Sequence, residues 1–139
     1  MKVLVCGGRD FGKSPMLFPP GPDRIRAQEQ YAKDKALLWD ELDNVDAGGG
    51  RISEIIQGGA KGADELAHLW ALEREVRSVT FNADWKRLGK KAGPLRNQRM
   101  LDEGRPDLVL AAPGGRGTAD MVRRAMEAGA IVRELKHAG

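Results

Sequence analysis

Five short apolar runs divide the chain: residues 2–6, 52–57, 76–81, 107–112 and 130–135. Each is too brief for a stable helix and is bounded by glycine, asparagine, aspartate or proline, so each is predicted to be a strand. Between them, apolar residues recur every three or four positions, the period of a helix with one buried face. Residues 24–43 are predicted as a helix with Ile25, Tyr31, Ala32, Leu38, Trp39 and Leu42 inward. Residues 63–75 follow, with Ala63, Leu66, Ala67 and Trp70 on one face. A third helix is expected from Pro94, whose fixed φ suits a first turn, through Met100 and Leu101 to about Gly104. A fourth carries Met121, Val122, Ala125 and Met126 and stops at Ala128-Gly129. Residues 12–23 read as loop, because Pro15, Pro19, Pro20, Gly21 and Pro22 exclude regular helix. Met16, Leu17 and Phe18 in that loop suggest a small lid or contact patch. Residues 46–50 read as a flexible turn, and 82–93 as a polar, basic loop carrying Trp85.

Strands alternating with helices imply an α/β domain of three layers, α/β/α, around a mainly parallel five-stranded sheet with right-handed crossovers. Ligands in such sheets sit at the carboxyl ends of the strands, where the strand order reverses. Here the first and fourth strands are expected to flank that point.

Composition narrows the picture. The chain has 139 residues, enough for one domain (1–139) with residues 13–24 as a proline-rich insertion. The net charge of +3 is spread through interleaved acids and bases, which excludes a nucleic-acid-binding tail. Lys86, Arg87, Lys90, Lys91, Arg96 and Arg99 do cluster, either as a solvated loop or as a rim that attracts anions. The single cysteine, Cys6, cannot form an internal disulfide and reads as a buried strand thiol. His68 and His137 stand alone, so no metal site is predicted. With neither a leader peptide nor a membrane-spanning run visible, the cytoplasm is the expected compartment and no membrane partner is expected.

The chemistry lies in the turns. Three strands end in Gly-Gly: Gly7-Gly8, Gly58-Gly59 and Gly114-Gly115. A fourth turn carries Ala92-Gly93-Pro94. The last of the Gly-Gly turns, Pro113-Gly114-Gly115-Arg116-Gly117-Thr118, leads into a helix whose unpaired N–H groups and dipole favour an anion. Thr118 is expected to cap that helix and to donate to a phosphate oxygen. With Gly62 and Gly117, and with Arg9, Lys61, Arg96 and Arg99 nearby, the whole sheet edge reads as a seat for a phosphorylated or nucleotide-like ligand. Lys61 is a solvated turn lysine or a phosphate contact. Asp64 caps the second helix or meets a ribose hydroxyl. Phe11 and Trp85 pack or stack on a base. Arg116 is expected to be exposed, within reach of a ligand or a partner subunit. Gly7 to Ser14 also fits the Walker A spacing, but that motif works only where a helix starts at its Gly-Lys-Ser end. Pro15 and the 19–22 cluster leave no room for one.

Taken together, Gly7-Gly8-Arg9-Asp10-Phe11, Gly58-Gly59-Ala60-Lys61-Gly62-Ala63-Asp64, Ala83-Asp84-Trp85, the run from Gly89 to Asn97, and Pro113 to Asp120 resemble the YspA-related SLOG family. The resemblance covers nearly the whole chain outside the 13–24 insertion. It implies a Rossmann-like fold binding nucleotides or nucleotide-derived ligands, in a family found in bacteria and often in phages. The related LOG enzymes are homodimeric phosphoribohydrolases, which implies a homodimer or higher homo-oligomer. Their motif, Pro-Gly-Gly-x-Gly-Thr-x-x-Glu, with an upstream arginine, places Arg96 and its neighbour Asn97 at the substrate. The motif glutamate falls on Met121, which has no acid, base or charge to offer. Asp120 is adjacent but about 100° away around a helix. Asp10, Asp64 and Asp84 are other carboxylates within reach of the same edge.

The expected function is therefore binding of a nucleotide or nucleotide-derived signal, as sensor or sponge, with no separate cofactor. One alternative is N-glycosidic hydrolysis of a nucleotide, with Arg96 and Asp120 as its catalytic residues. A further alternative is binding of single-stranded nucleic acid, which the short basic cluster supports only weakly.

Overall fold

The structure, a computed structural model, describes residues 1–138. Five parallel strands, β1 (Lys2–Cys6), β2 (Glu54–Gln57), β3 (Arg77–Thr80), β4 (Leu108–Ala111) and β5 (Ile131–Glu134), form one sheet in the order β3-β2-β1-β4-β5. All four pairings are parallel, with Val3 opposite Ile55 on one side and Leu4 opposite Val109 on the other. The order reverses between β1 and β4, where the sequence placed it.

The period-two alternation of the strands gives the sheet two cores. Val3, Val5, Ile55, Leu108 and Leu110 face α1 (Pro22–Ala47) and α2 (Ala63–Glu73), meeting Leu38, Leu42, Leu66, Ala67 and Trp70. Leu4, Cys6, Ile56, Val109 and Ala111 face α4 (Ala92–Gly104) and α5 (Arg116–Glu127), meeting Met100, Leu101, Met121 and Ala125. Helices from the two sides of the switch point thus cover opposite faces, as right-handed crossovers require. Among the described residues no helix is long and apolar enough to cross a membrane.

The structure departs from the sequence reading in α1, in residues 82–93 and in α5. Helix α1 starts two residues earlier, with Pro22 in its first turn, and runs on to Ala47. Its inward stripe is Tyr31, Asp34, Leu38 and Leu42, whereas Ile25 and Ala32 are exposed. Apolar spacing missed Asp34 because its burial is compensated from far along the chain. The carboxylate accepts the Gly12 N–H at 2.8 Å, the Gln30 amide at 2.9 Å and His137 Nε2 at 2.6 Å. His137 is therefore not isolated.

The stretch expected to be loop at 82–93 is mostly helical. A short helix, α3 (Trp85–Leu88), is capped by Asp84, and a 3-10 turn over Gly89–Lys91 leads straight into α4. Pro94 is the third residue of α4 rather than its first, which is tolerated because N–H groups that early have no intrahelical partner.

Thr118 does not cap α5. The helix begins at Arg116 with Gly115 as its cap and no side-chain capping bond. Thr118 instead lies in the first turn with its hydroxyl over Gly114. On the same helix Met126 is exposed, although its spacing matched that of the buried Met121 and Ala125.

In the insertion, Ser14 caps a three-residue 3-10 turn, Pro15–Leu17, and no α-helix follows Gly12-Lys13-Ser14. The wrapped-phosphate geometry of a P-loop is not formed. Met16 and Leu17 are exposed.

Candidate functional site

The carboxyl ends of β1, β2 and β4 open onto a cleft with two lobes. The first, about 750 Å³, lies over β2 and the insertion and is lined by Arg9, Asp10, Lys13, Leu17, Gly58 to Gly62, Glu65, Asn82, Trp85 and Arg96. The second, about 680 Å³, lies over the switch point and is lined by Gly7, Gly8, Arg9, Asp64, Trp85, Lys90, Arg96, Asn97, Gly115 to Thr118 and Asp120. Arg9, Gly58, Ala60, Trp85 and Arg96 belong to both.

Most of the residues singled out in the sequence converge here, and four do not. Phe11 is buried among Leu38, Ala63 and Leu66, with its ring 6.1 Å from that of His137, so it packs rather than stacks on a ligand. Arg99 turns away from both lobes, pairing with Glu103 at 3.0 Å and lying over the Phe81 ring. Gly114 is wedged between Gly8 and Thr118, where a Cβ would stand 2.7 Å from the Gly8 nitrogen. Asp84 is taken up in capping α3 and in pairing with Arg87. Lys13, Leu17, Glu65 and Asn82 line the first lobe without having been singled out as ligand contacts. Their positions depend on how the insertion folds back beside β2, which local spacing does not encode.

The glycines divide into two kinds. Gly62 adopts φ +88°, and a Cβ on it would meet the Gly8 carbonyl at 2.5 Å, so the fold itself requires glycine there. Around Gly115 and Gly117 there is nothing within 4 Å of a Cβ, yet both line the second lobe. Packing demands glycine at neither, and Gly117, inside α5, has no conformational need of it. Their absent side chains leave the start of α5 open.

Arg74, Arg99, Arg123, Arg124 and Arg133 each pair with a carboxylate at 3.0 Å or less. Among the described residues six arginines, Arg9, Arg24, Arg51, Arg96, Arg105 and Arg116, have no carboxylate within ion-pair distance, and three of them, Arg9, Arg96 and Arg116, line the cleft. Arg96 is fixed by donating from Nη1 to the Gly58 carbonyl at 2.6 Å and from Nε to Asn97 at 3.2 Å. Burial lowers the pKa of its guanidinium; the Asp64 charge opposes that shift and the neighbouring Arg9 charge adds to it.

The two carboxylates of the second lobe differ in character. Asp64, at the start of α2, is buried and accepts the Ala60 N–H at 3.2 Å. Burial pushes its carboxyl up to about 6, against the backbone hydrogen bonds and the Arg96 charge that favour ionisation. For Asp120 burial acts in the same direction but is outweighed. The Asn97 amide at 3.0 Å and Arg124 Nε at 2.8 Å, with Arg123, hold its carboxyl below the usual range. Asp120 is thus held in favour of its ionised form and engaged by three side chains. Asn97 is committed too, donating to Asp120 and to the Gly117 carbonyl at 3.2 Å. Met121 is 1% exposed and belongs to the core beneath α5. Burial pushes the Cys6 thiol up to about 12, with the Asp64 and Glu134 charges adding to it, so it is inert at neutral pH. Among the described residues no three His, Cys, Asp or Glu side chains gather to hold a metal ion.

This arrangement has relatives. The Gene 61 protein of Mycobacterium phage D29 is 40% identical to the chain over 104 residues, covering 70% of this chain and 82% of that protein. The profile of the YspA, cpYpsA-related SLOG family matches residues 22–88. The chain belongs to this SLOG family. DNA processing protein A (DprA) from Streptococcus pneumoniae shares the fold, with a TM-score of 0.63 over 99% of the SLOG chain at 22% identity. The SLOG chain spans half of that solved chain, 50% of its length. The profile's match ends at Leu88, so within it fall β2, α2 and the first-lobe turn, while Arg96 and the start of α5 lie beyond.

Proposed function

We propose that this SLOG protein binds a nucleotide or nucleotide-derived ligand in the cleft and holds it without cleaving it, as a sensor or a sponge. The observation that carries the reading is the set of three arginines, Arg9, Arg96 and Arg116, facing one cleft without carboxylate partners. An arginine not ion-paired to an acid, or one next to an uncapped helix start, is a place where an anion replaces water at little reorganisation. Gly115 and Gly117 leave room for phosphate oxygens to reach the N–H groups of α5. Trp85, 49% exposed, offers an indole face to a base.

Two features weigh against hydrolysis of an N-glycosidic bond. The side chain at the position of the catalytic glutamate in LOG enzymes is Met121, turned into the core. The neighbouring carboxylate, Asp120, is clamped in its ionised form. The hydrolase reading retains one support, Asp64, a carboxyl able to carry a proton near pH 6 in the same lobe as Arg96.

The test is calorimetric titration of the purified protein with AMP, together with chromatography of the mixture for free adenine. Saturable binding, weakened roughly ten-fold or more in Arg116→Ala, with no adenine released, is the expected result. Adenine release that disappears in Asp64→Asn would replace binding by catalysis as the function. No binding of AMP or of any larger nucleotide would remove the proposal altogether.

A further inference from the structure

We infer that the ligand is built of two ribosyl units joined through phosphate, one in each lobe, with the bridging phosphate at the wall the lobes share. The inference rests on the nucleotide reading above and specifies its ligand.

Size is the first argument. Pockets for small ligands run from about 300 to 1,000 Å³, and each lobe alone, at about 750 and 680 Å³, falls in that range. A single nucleotide seated at α5 would fill the second lobe and leave the first to solvent. The first lobe is nevertheless furnished for a ligand. It carries its own cations, Lys13 and Lys61, its own exposed carboxylates, Asp10 and Glu65, and the apolar face of Leu17. Carboxylates beside cations suit a ribose, whose hydroxyls donate to the acid while a phosphate on the same sugar meets the base.

Charge placement is the second argument. The wall between the lobes holds Arg9 and Arg96, close enough for the Arg9 charge to disfavour ionisation of Arg96. Two like charges kept near one another without a carboxylate within ion-pair distance, at the joint of a two-lobed cleft, match a phosphate bridge. The second lobe has positive groups of its own, Lys90 and Arg116. The cleft thus has positive groups in each lobe as well as at the wall they share, and a mononucleotide has phosphate for only one of these places.

Trp85 is the third. Its half-exposed indole borders both lobes, so a base in either compartment has an aromatic surface beside it.

The experiment compares AMP, NAD, the linear dinucleotide pApA and a long single-stranded oligodeoxynucleotide by calorimetry at fixed salt. NAD bridges its riboses by pyrophosphate and pApA by a phosphodiester, so the pair identifies the bridge. The better of these two is expected to bind at least about ten-fold more tightly than AMP, because the second unit binds at high effective concentration. Lys61→Ala should reduce the affinity for the two-unit ligand more than that for AMP, bringing their ratio towards one. Arg116→Ala should weaken AMP and pApA, each with a terminal phosphate for the start of α5, and preserve the ratio between them. AMP binding as tightly as both two-unit ligands would overturn the inference while leaving nucleotide binding intact. Affinity that keeps rising with oligonucleotide length would overturn it in favour of a single-strand groove. Failure of all four to bind would bring down the nucleotide reading itself, and the inference with it.

Discussion

Arg96 Nη1 donates to the Gly58 carbonyl at 2.6 Å, joining α4 to the end of β2 across the mouth of the cleft. The bond has two effects. It satisfies a carbonyl that the sheet leaves unpaired, and it fixes the guanidinium plane at the boundary of the two lobes. Asn97, the next residue, bonds in the other direction to Asp120 and Gly117 on α5. Consecutive side chains on one helix thereby brace both walls of the site. A positively charged group held by its own scaffold loses less conformational freedom when an anion arrives, so more of the interaction appears as affinity.

The division among glycines predicts opposite outcomes for two substitutions in one turn. Gly114→Ala forces a methyl against the Gly8 nitrogen and the Thr118 hydroxyl and should destabilise the protein by about 1–3 kcal/mol. Gly117→Ala meets no atom within 4 Å and replaces glycine inside a helix, so it should stabilise by about 0.5–1 kcal/mol. Its methyl also faces the second lobe, so nucleotide affinity should fall even as stability rises. Urea denaturation and calorimetry on both variants check this; an unchanged affinity in Gly117→Ala would place the phosphate elsewhere.

Asp64 should make stability depend on pH. Its carboxyl is raised from 3.8 to about 6, so the folded protein binds more protons than the unfolded chain between those values. Stability is then fully retained below about pH 4, falls as pH rises through the window, and stays lower above it. Two units correspond to roughly 3 kcal/mol. Asp64→Asn removes the charge that is costly to bury, so relative to wild type it should gain stability at pH 7.5 and change little at pH 4. Urea midpoints at the two pH values measure the difference; an equal effect at both would mean that Asp64 is not carrying the dependence.

Met121→Glu would restore the side-chain type found at this position in the LOG enzymes. Because the position is 1% exposed and packed among Leu4, Cys6 and Met100, the carboxylate would point into the core. A loss of at least about 2 kcal/mol in stability is expected, with no release of adenine from AMP. A stable variant that frees adenine would show that α5 can rotate to present this position to the cleft.

The strands, the reversal point and the glycine-rich edge were legible in the sequence because each has a local cause: a short apolar run, a Gly-Gly pair, a helical period. What was not legible depends on partners distant in the chain. Asp34 reads as a surface acid until Gly12 and His137 are brought to it. Phe11 looks available for stacking until Leu66 and Leu38 close over it. Residues 85–91 are too polar to show an apolar period, and their helical turns follow from the Asp84 cap and the run into α4. Arg96 and Arg99 are equivalent as residue types, and only the orientation of α4 decides which one enters the cleft.

The position of β1 carries a consequence for the order in which the molecule assembles. The first strand of the sequence is the central strand of the sheet, and one of its neighbours, β4, comes so late that Lys2 bonds to Asp107, 105 residues away. As the chain leaves the ribosome, β1, β2 and β3 can pair with α1 and α2 over one face. The other edge of β1 meanwhile stays open and hydrophobic until β4 emerges. Closing that long loop is the slow, non-local event expected to limit folding. The seam above which the ligand cleft forms, between β1 and β4, therefore stays open until β4 is made, so a nascent chain has no complete binding site before β4 and the start of α5 emerge.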